Sequence, residues 1–226
     1  NMDYVLGDLV VSPSSEEERF CEKVIRLADS YLCFEPVAPY PEVSVLPCRE
    51  NGFFTFGCFS NRVKIGPAVI DAWAEILRRV SKSKLLLKYH SYHSEKMKRA
   101  ILKQFESRGI DPSRIQCEGR SSYYKYLESF NRVDLSLDTF PFTGGTTTAF
   151  SLWMGVPMLT ISGDRWSGRI SASVEISAGM GEYVCKDIAE YVERAVRIAS
   201  ESDHLENQRK LMRTTMMNSP LMDRSR

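Results

Sequence analysis

The diglycine pair Gly144-Gly145 constrains this chain most, because of what stands on either side of it. Residues 133–137, Val-Asp-Leu-Ser-Leu, alternate apolar and polar side chains at the period of a strand. Pro141 and the two glycines then break regular structure. Thr146 or Thr147 can cap a helix that runs to about Met154 and closes at Gly155. A second apolar strand is expected over residues 156–161. Strand, glycine turn, helix and strand make one βαβ unit. Its turn lies at the carboxyl edge of a parallel sheet, where open α/β folds bind ligands. Helix-start amides there carry partial positive charge, which suits a phosphate. Gly144 and Gly145 would let the backbone approach the anion, and Thr146, Thr147 and Thr148 would add hydroxyl donors. A plain corner has the same sequence form, so position and composition leave phosphate binding and a simple turn both open. The glycine spacing and the missing lysine exclude a dinucleotide fingerprint and a P-loop.

Strand–helix alternation runs through the rest of the chain from Phe53. A strand is expected over 53–59, then a helix from Pro67 to about Val80 with Val69, Ile70, Trp73, Ile76, Leu77 and Val80 on one face. Strands follow at 85–89 and 115–117, and helices at 94–107, 123–130, 168–178, 187–200 and 204–217. This order predicts an α/β fold, a Rossmann-like parallel sheet with helices on both faces. Residues 1–50 read differently. Ser12-Pro13-Ser14-Ser15 followed by Glu16, Glu17 and Glu18 starts a helix, with Phe20, Val24 and Leu27 as its apolar stripe. Pro36, Pro39, Pro41 and Pro47 then mark an extended linker. The division expected is a helical arm and linker over 1–50 and one domain over 51–226. The arm is too short for a core of its own and must lean on the domain.

A net charge of +1 on 226 residues gives no footprint for nucleic acid or an anionic membrane. No apolar run is long enough for a bilayer, and no signal peptide is present, so the expected compartment is the cytoplasm. The six cysteines are scattered with no CxxC pair, which predicts buried free thiols rather than disulfides. Asn1 ahead of Met2 reads as a cloning remnant. His90 and His93 lack a third ligand nearby, so neither a metal nor any other cofactor is expected. No Asp-x-Asp motif, G-x-S-x-G elbow or Cys/His signature occurs. Lys64 follows a strand and precedes a helix, again at the carboxyl edge. It can reach a phosphate as a mobile point charge, although a solvated loop lysine fits the same local sequence. Residues 121–126 can offer backbone groups and an aromatic ring to a flat base, or Tyr123 and Tyr126 can simply be half-buried.

Three runs carry a resemblance: FFTFGCFSNRVKIGPAVIDAWAEILRRV, RVDLSLDTFPFTGGTTTAFSLWMGVPMLTISGDRWSGRISAS, and the ending with Leu211-Met212-Arg213 and Ser219-Pro220-Leu221. From Asp3 onward the chain resembles the protein O-GlcNAc transferase family, with its bacterial and SPINDLY-like members. The resemblance implies the C-terminal donor-binding lobe of a two-lobed, metal-independent, inverting GT-B glycosyltransferase. The implied donor is a nucleotide sugar, usually UDP-GlcNAc, and the acceptor a protein Ser/Thr hydroxyl. By the same resemblance Lys64 neutralises the departing diphosphate and Asn61 approaches the same group. Thr146 and Thr147 bind phosphate oxygens, Ser121 meets the base through its backbone, and Tyr126 stacks on it. Two positions depart from the pattern: Phe150 replaces an acidic residue that accepts ribose hydroxyls, and Gly145 replaces a histidine of the animal enzymes. The chain is expected to begin near the end of the N-terminal lobe, to lack the repeats and most of the acceptor half, and to stop short of the helix that crosses back. It is therefore expected to need a separate N-terminal lobe for activity. The alternatives are a non-catalytic or split nucleotide-binding module, a lobe using GDP-fucose and, further off, an oxidoreductase. Apolar surface left by the missing lobe is expected to favour self-association into a homo-oligomer.

Overall fold

The computed structural model describes residues 2–225, so the reading of Asn1 lies outside it. Its centre is a six-stranded sheet of β3 (Phe54–Cys58), β4 (Ser83–Lys88), β5 (Ile115–Glu118), β6 (Leu135–Leu137), β7 (Met158–Ile161) and β8 (Val184–Cys185). The spatial order is β5-β4-β3-β6-β7-β8, and every pairing is parallel. β3, β6 and β7 are buried at every residue, as continuous apolar strands covered on both faces must be. The covering helices are α2 (Pro67–Arg79), α3 (Glu95–Glu106), α4 (Tyr123–Glu128), α5 (Thr146–Trp153), α6 (Trp166–Ser177), α7 (Ile188–Ser200) and α8 (Ser202–Met217). Pro67 opens α2, and Val69, Ile70, Trp73, Ile76 and Leu77 form its buried stripe. Among the described residues no helix is long and apolar enough to cross a membrane. All six cysteines are free, but only Cys58 and Cys185 are buried, whereas Cys48 and Cys117 are half-buried and Cys21 and Cys33 exposed.

The N-terminal segment departs from its expected form. Residues 12–27 are not a helix. A 3-10 segment at Ser14–Arg19 buries nothing, and strand β2 (Lys23–Arg26) follows it. β2 pairs in parallel with β1 (Tyr4–Gly7), a strand that the sequence pattern did not single out. Two forces override the helical spacing. Glu16 leaves helical geometry while its carboxylate takes two hydrogen bonds from Arg169 at 2.8 and 2.6 Å. In β2, Val24 is buried between exposed Lys23 and Ile25, a period of two rather than 3.6. A short helix α1 (Pro47–Asn51) and β8 were also not anticipated.

The arm leans on α6. Buried Asp8 accepts from the amides of Val10, Val11 and Tyr31 and from the Ser173 hydroxyl. Trp166 donates to the Ser12 hydroxyl at 3.1 Å, and Tyr31 packs on its ring. The linker is held from α8 and the residues after it. Buried Arg209 donates to the carbonyls of Ser44 and Val133, each at 2.9 Å, Arg213 donates to that of Pro41 at 2.7 Å, and the Phe34 amide reaches the Leu221 carbonyl at 2.9 Å.

Candidate functional site

Strand order sets the site. From β3 the chain moves outward to β4 and β5, whereas from β6 it moves the other way to β7 and β8. The connections leaving β3 and β6 therefore diverge, and a crevice opens at this topological switch point. After β3, Asn61 caps a 3-10 turn, Arg62–Lys64, accepting the Val63 amide at 3.2 Å. The turn points Lys64 across the crevice. Its Nζ donates to the Thr143 carbonyl at 2.7 Å and lies 3.8 Å from the centre of the Phe142 ring. Thr143 stands three residues before Thr146, so the lysine and the glycine corner converge. Half-burial holds the Lys64 pKa below its ordinary value, opposed by the nearby Asp138.

After β6 the chain forms the corner. Asp138, 1% exposed, accepts from the Thr139 amide at 2.8 Å, the Gly144 amide at 3.0 Å and the Thr160 hydroxyl at 2.8 Å. Thr143 is fixed by two bonds to the Ser167 carbonyl, at 3.0 Å from its amide and 3.1 Å from its hydroxyl. Gly144 permits close packing: a Cβ there would lie 2.7 Å from both the Thr147 and Thr148 hydroxyls. The first bond closing α5 runs from the Ala149 amide to the Gly145 carbonyl at 3.0 Å. The amides of Thr146, Thr147 and Thr148 precede it and have no intrahelical acceptor. Thr146 is exposed and Thr147 half-buried.

Two candidates face the interior instead. The Gly144 amide is turned to Asp138, and Thr148 is fully buried with its hydroxyl 2.8 Å from that of Ser171. Thus Gly145, Thr146 and Thr147 form the outward part of the corner.

The second wall is aromatic. Half-buried Tyr126 meets Phe59, Phe130 and Phe150 edge to face, with ring centres 5.7, 5.6 and 6.0 Å apart. Burial pushes its hydroxyl pKa well up. Phe150 also meets Phe34 of the linker at 5.6 Å and Tyr123 at 5.9 Å. Ser121 has a buried hydroxyl without a protein partner and lines a groove of about 540 Å³ beside α4. Lys88, Glu118 and Lys125 share that groove, and no residue of the glycine corner does. Among the described residues, no group of three or more His, Cys, Asp or Glu side chains is placed to hold a metal.

Sequence reasoning missed Asp138, Thr143 and Phe34. Asp138 carried a usable signal: an acidic residue directly after an apolar strand, followed by a turn, can bind the turn's amides. Thr143 and Phe34 carried none, because both act through residues distant in sequence.

The geometry agrees with three comparisons. The family model for glycosyl transferase family 41 matches residues 49–226. A probable UDP-N-acetylglucosamine–peptide N-acetylglucosaminyltransferase SPINDLY of Petunia hybrida is 35% identical over 223 residues, 98% of this chain and 24% of that protein. A UDP-N-acetylglucosamine–peptide N-acetylglucosaminyltransferase of Caenorhabditis elegans is 34% identical over 165 residues, 73% of this chain and 14% of that protein. A solved structure of a mutant O-GlcNAc transferase from Thermobaculum terrenum matches with a TM-score of 0.91 at 30% identity, covering 99% of this chain and 42% of that one. The chain thus spans only part of the length of its relatives. Its sheet and helices have the architecture of the C-terminal region of a GT-B enzyme. By sequence and by fold, the chain belongs to glycosyl transferase family 41.

Proposed function

We propose that this chain is the donor-binding lobe of a protein O-GlcNAc-transferase-like enzyme, inverting and metal-independent, that takes UDP-GlcNAc or a related nucleotide sugar. The observation that carries the reading is the reach of Lys64 across the switch-point crevice to Thr143, 2.7 Å away. A diphosphate entering there meets the lysine on one side and the open amides and hydroxyls of Thr146 and Thr147 on the other. Asn61, at the head of the lysine turn, approaches the same group. As the glycosidic bond breaks, the leaving diphosphate gains negative charge. Preorganised donors stabilise that charge most in the transition state. Ser121 contributes backbone contacts to the base, and Tyr126 contributes the edge of its ring.

Calorimetric titration with UDP, GDP and their sugars tests this reading. The wild-type chain is expected to bind a uridine nucleotide, and Lys64→Ala to weaken that binding about thirtyfold, the loss of one charge-assisted bond near 2 kcal/mol. No heat with any nucleotide overturns the reading. The chain alone, which matches 24% of the length of its Petunia hybrida relative, is expected to bind donor without transferring sugar to peptide. Transfer by the purified 226-residue chain would contradict that.

A second donor is open at the base. The contacts assigned to it are the Ser121 backbone and the Tyr126 ring, and neither selects uracil over guanine, while Phe150, packed against Phe34, Tyr123 and Tyr126, weakens the hold on either ribose alike. Stronger binding of GDP than of UDP would move the assignment to a guanosine-based donor such as GDP-fucose.

A further inference from the structure

We propose that Asp138 is a positioning residue of the crevice, whose buried carboxylate holds the Gly144 amide inward and supplies the negative charge facing Lys64. This rests on the donor-lobe reading above. Each side-chain partner of Asp138 is a donor: the Thr139 amide, the Gly144 amide, at 3.0 Å from one carboxylate oxygen and 3.2 Å from the other, and the Thr160 hydroxyl. An acceptor-only set of contacts suits the ionised carboxylate. Its main chain is held as well, because the Tyr191 hydroxyl donates to the Asp138 carbonyl at 2.9 Å. The residue is therefore fixed at both ends while it ties the start of the turn to its sixth residue.

Two effects follow for a ligand. With Gly144 pinned, the corner presents a fixed set of outward amides from the first turn of α5, and ordering them costs nothing when an anion arrives. The second effect is on charge. Lys64 is half-buried, which disfavours its ammonium form, and Asp138 offsets that penalty. The other titratable groups around the pair are Cys58 at the end of β3, Glu175 from α6 and Tyr191 from α7. Burial raises the pKa of each, so all three are held toward their neutral forms beside the pair. Burial raises the pKa of Asp138 too, and the hydrogen bonds it takes from Ser171, Thr160, Gly144 and Thr139 work against that rise and favour its charged form.

The test is calorimetric titration of the full chain with UDP and GDP between about pH 7 and pH 9.5, above the phosphate titration near pH 6. Asp138→Asn is expected to bind about tenfold more weakly at pH 7. Its deficit is expected to widen as pH rises, because Lys64 without its counter-charge loses its proton earlier. Lys64→Ala is expected to lose the alkaline fall-off altogether. A wild-type pH profile in Asp138→Asn, or a deficit equal at every pH, overturns the proposal. Hydrogen exchange on the wild-type chain serves if the variant does not fold. The Gly144 amide is then expected to be protected without nucleotide, and fast exchange there overturns the proposal. If the wild-type chain binds neither nucleotide, the donor-lobe reading fails, and the Gly144 measurement still judges the hold of Asp138.

Discussion

Trp73 donates its indole N–H to the Tyr191 hydroxyl at 3.0 Å, a bond between two fully buried side chains from α2 and α7. The same hydroxyl donates onward to the Asp138 carbonyl, so packing beneath the sheet reaches the glycine corner. Tyr191→Phe leaves a buried donor and a buried carbonyl without partners and is expected to cost about 2 kcal/mol of stability. Urea denaturation followed by tryptophan fluorescence measures it. A loss below about 0.5 kcal/mol would mean that the chain of bonds contributes little.

The two glycines should not respond alike to an added methyl. At Gly144 a Cβ meets two hydroxyls at 2.7 Å, whereas at Gly145 it meets one methyl of Ile170 at 3.0 Å. Gly144→Ala is expected to destabilise by about 1–3 kcal/mol through overpacking, and Gly145→Ala by less. Thermal melts of the two variants give the comparison, and the reverse order would contradict the packing described.

Glu175 predicts a pH dependence of stability. It is fully buried on α6, and neither carboxylate oxygen makes a well-formed hydrogen bond, the Met158 amide giving the charged form only weak support. Burial, with Asp138 and Glu182 nearby, raises its pKa well above the ordinary value. A raised folded-state pKa means that the native chain binds more protons than the unfolded one. Stability from this group is thus full below about pH 4.3, the unfolded value, and is lost as pH climbs through the folded value. Glu175→Gln removes this slope. The variant is expected to gain on wild type steadily as pH rises from 5 to 8 in denaturant titrations, and a constant difference would refute the assignment.

Arg169 joins the arm to the domain through Glu16, and its Nε also donates to the Gly163 carbonyl at 2.8 Å. Glu16→Gln is expected to speed protease cleavage within residues 14–26 while the central sheet stays protected. Mass spectrometry of timed digests locates the cuts. Cleavage unchanged from wild type would show that the Asp8 and Trp166 contacts alone hold the arm.

Where side chains repeat at a fixed spacing, the sequence was readable. The stripe of α2, the burial of β3 and β7 and the glycine corner were all legible, because local pattern and tertiary burial agree there. The arm was misread because Phe20, Val24 and Leu27 satisfy a helical spacing that the tertiary contacts override. Glu16 is drawn to Arg169, 153 residues away, and Val24 buries alone in a strand. In the site, Lys64 and the threonines were visible as chemistry. The inward turn of Gly144 was not, since it depends on a carboxylate whose partners also come from β7.

The linker is fastened to α8 and the residues after it through Phe34, Pro41 and Ser44. Phe34 in turn backs the ring of Phe150. The C-terminal residues are therefore the mounting of the aromatic wall, although they stand far from the corner along the chain. Trimming the protein before Arg209 would take buried Met212, Met216 and Leu221 out of the core together with that mounting, so damage at the tail would loosen the fold and the wall at once.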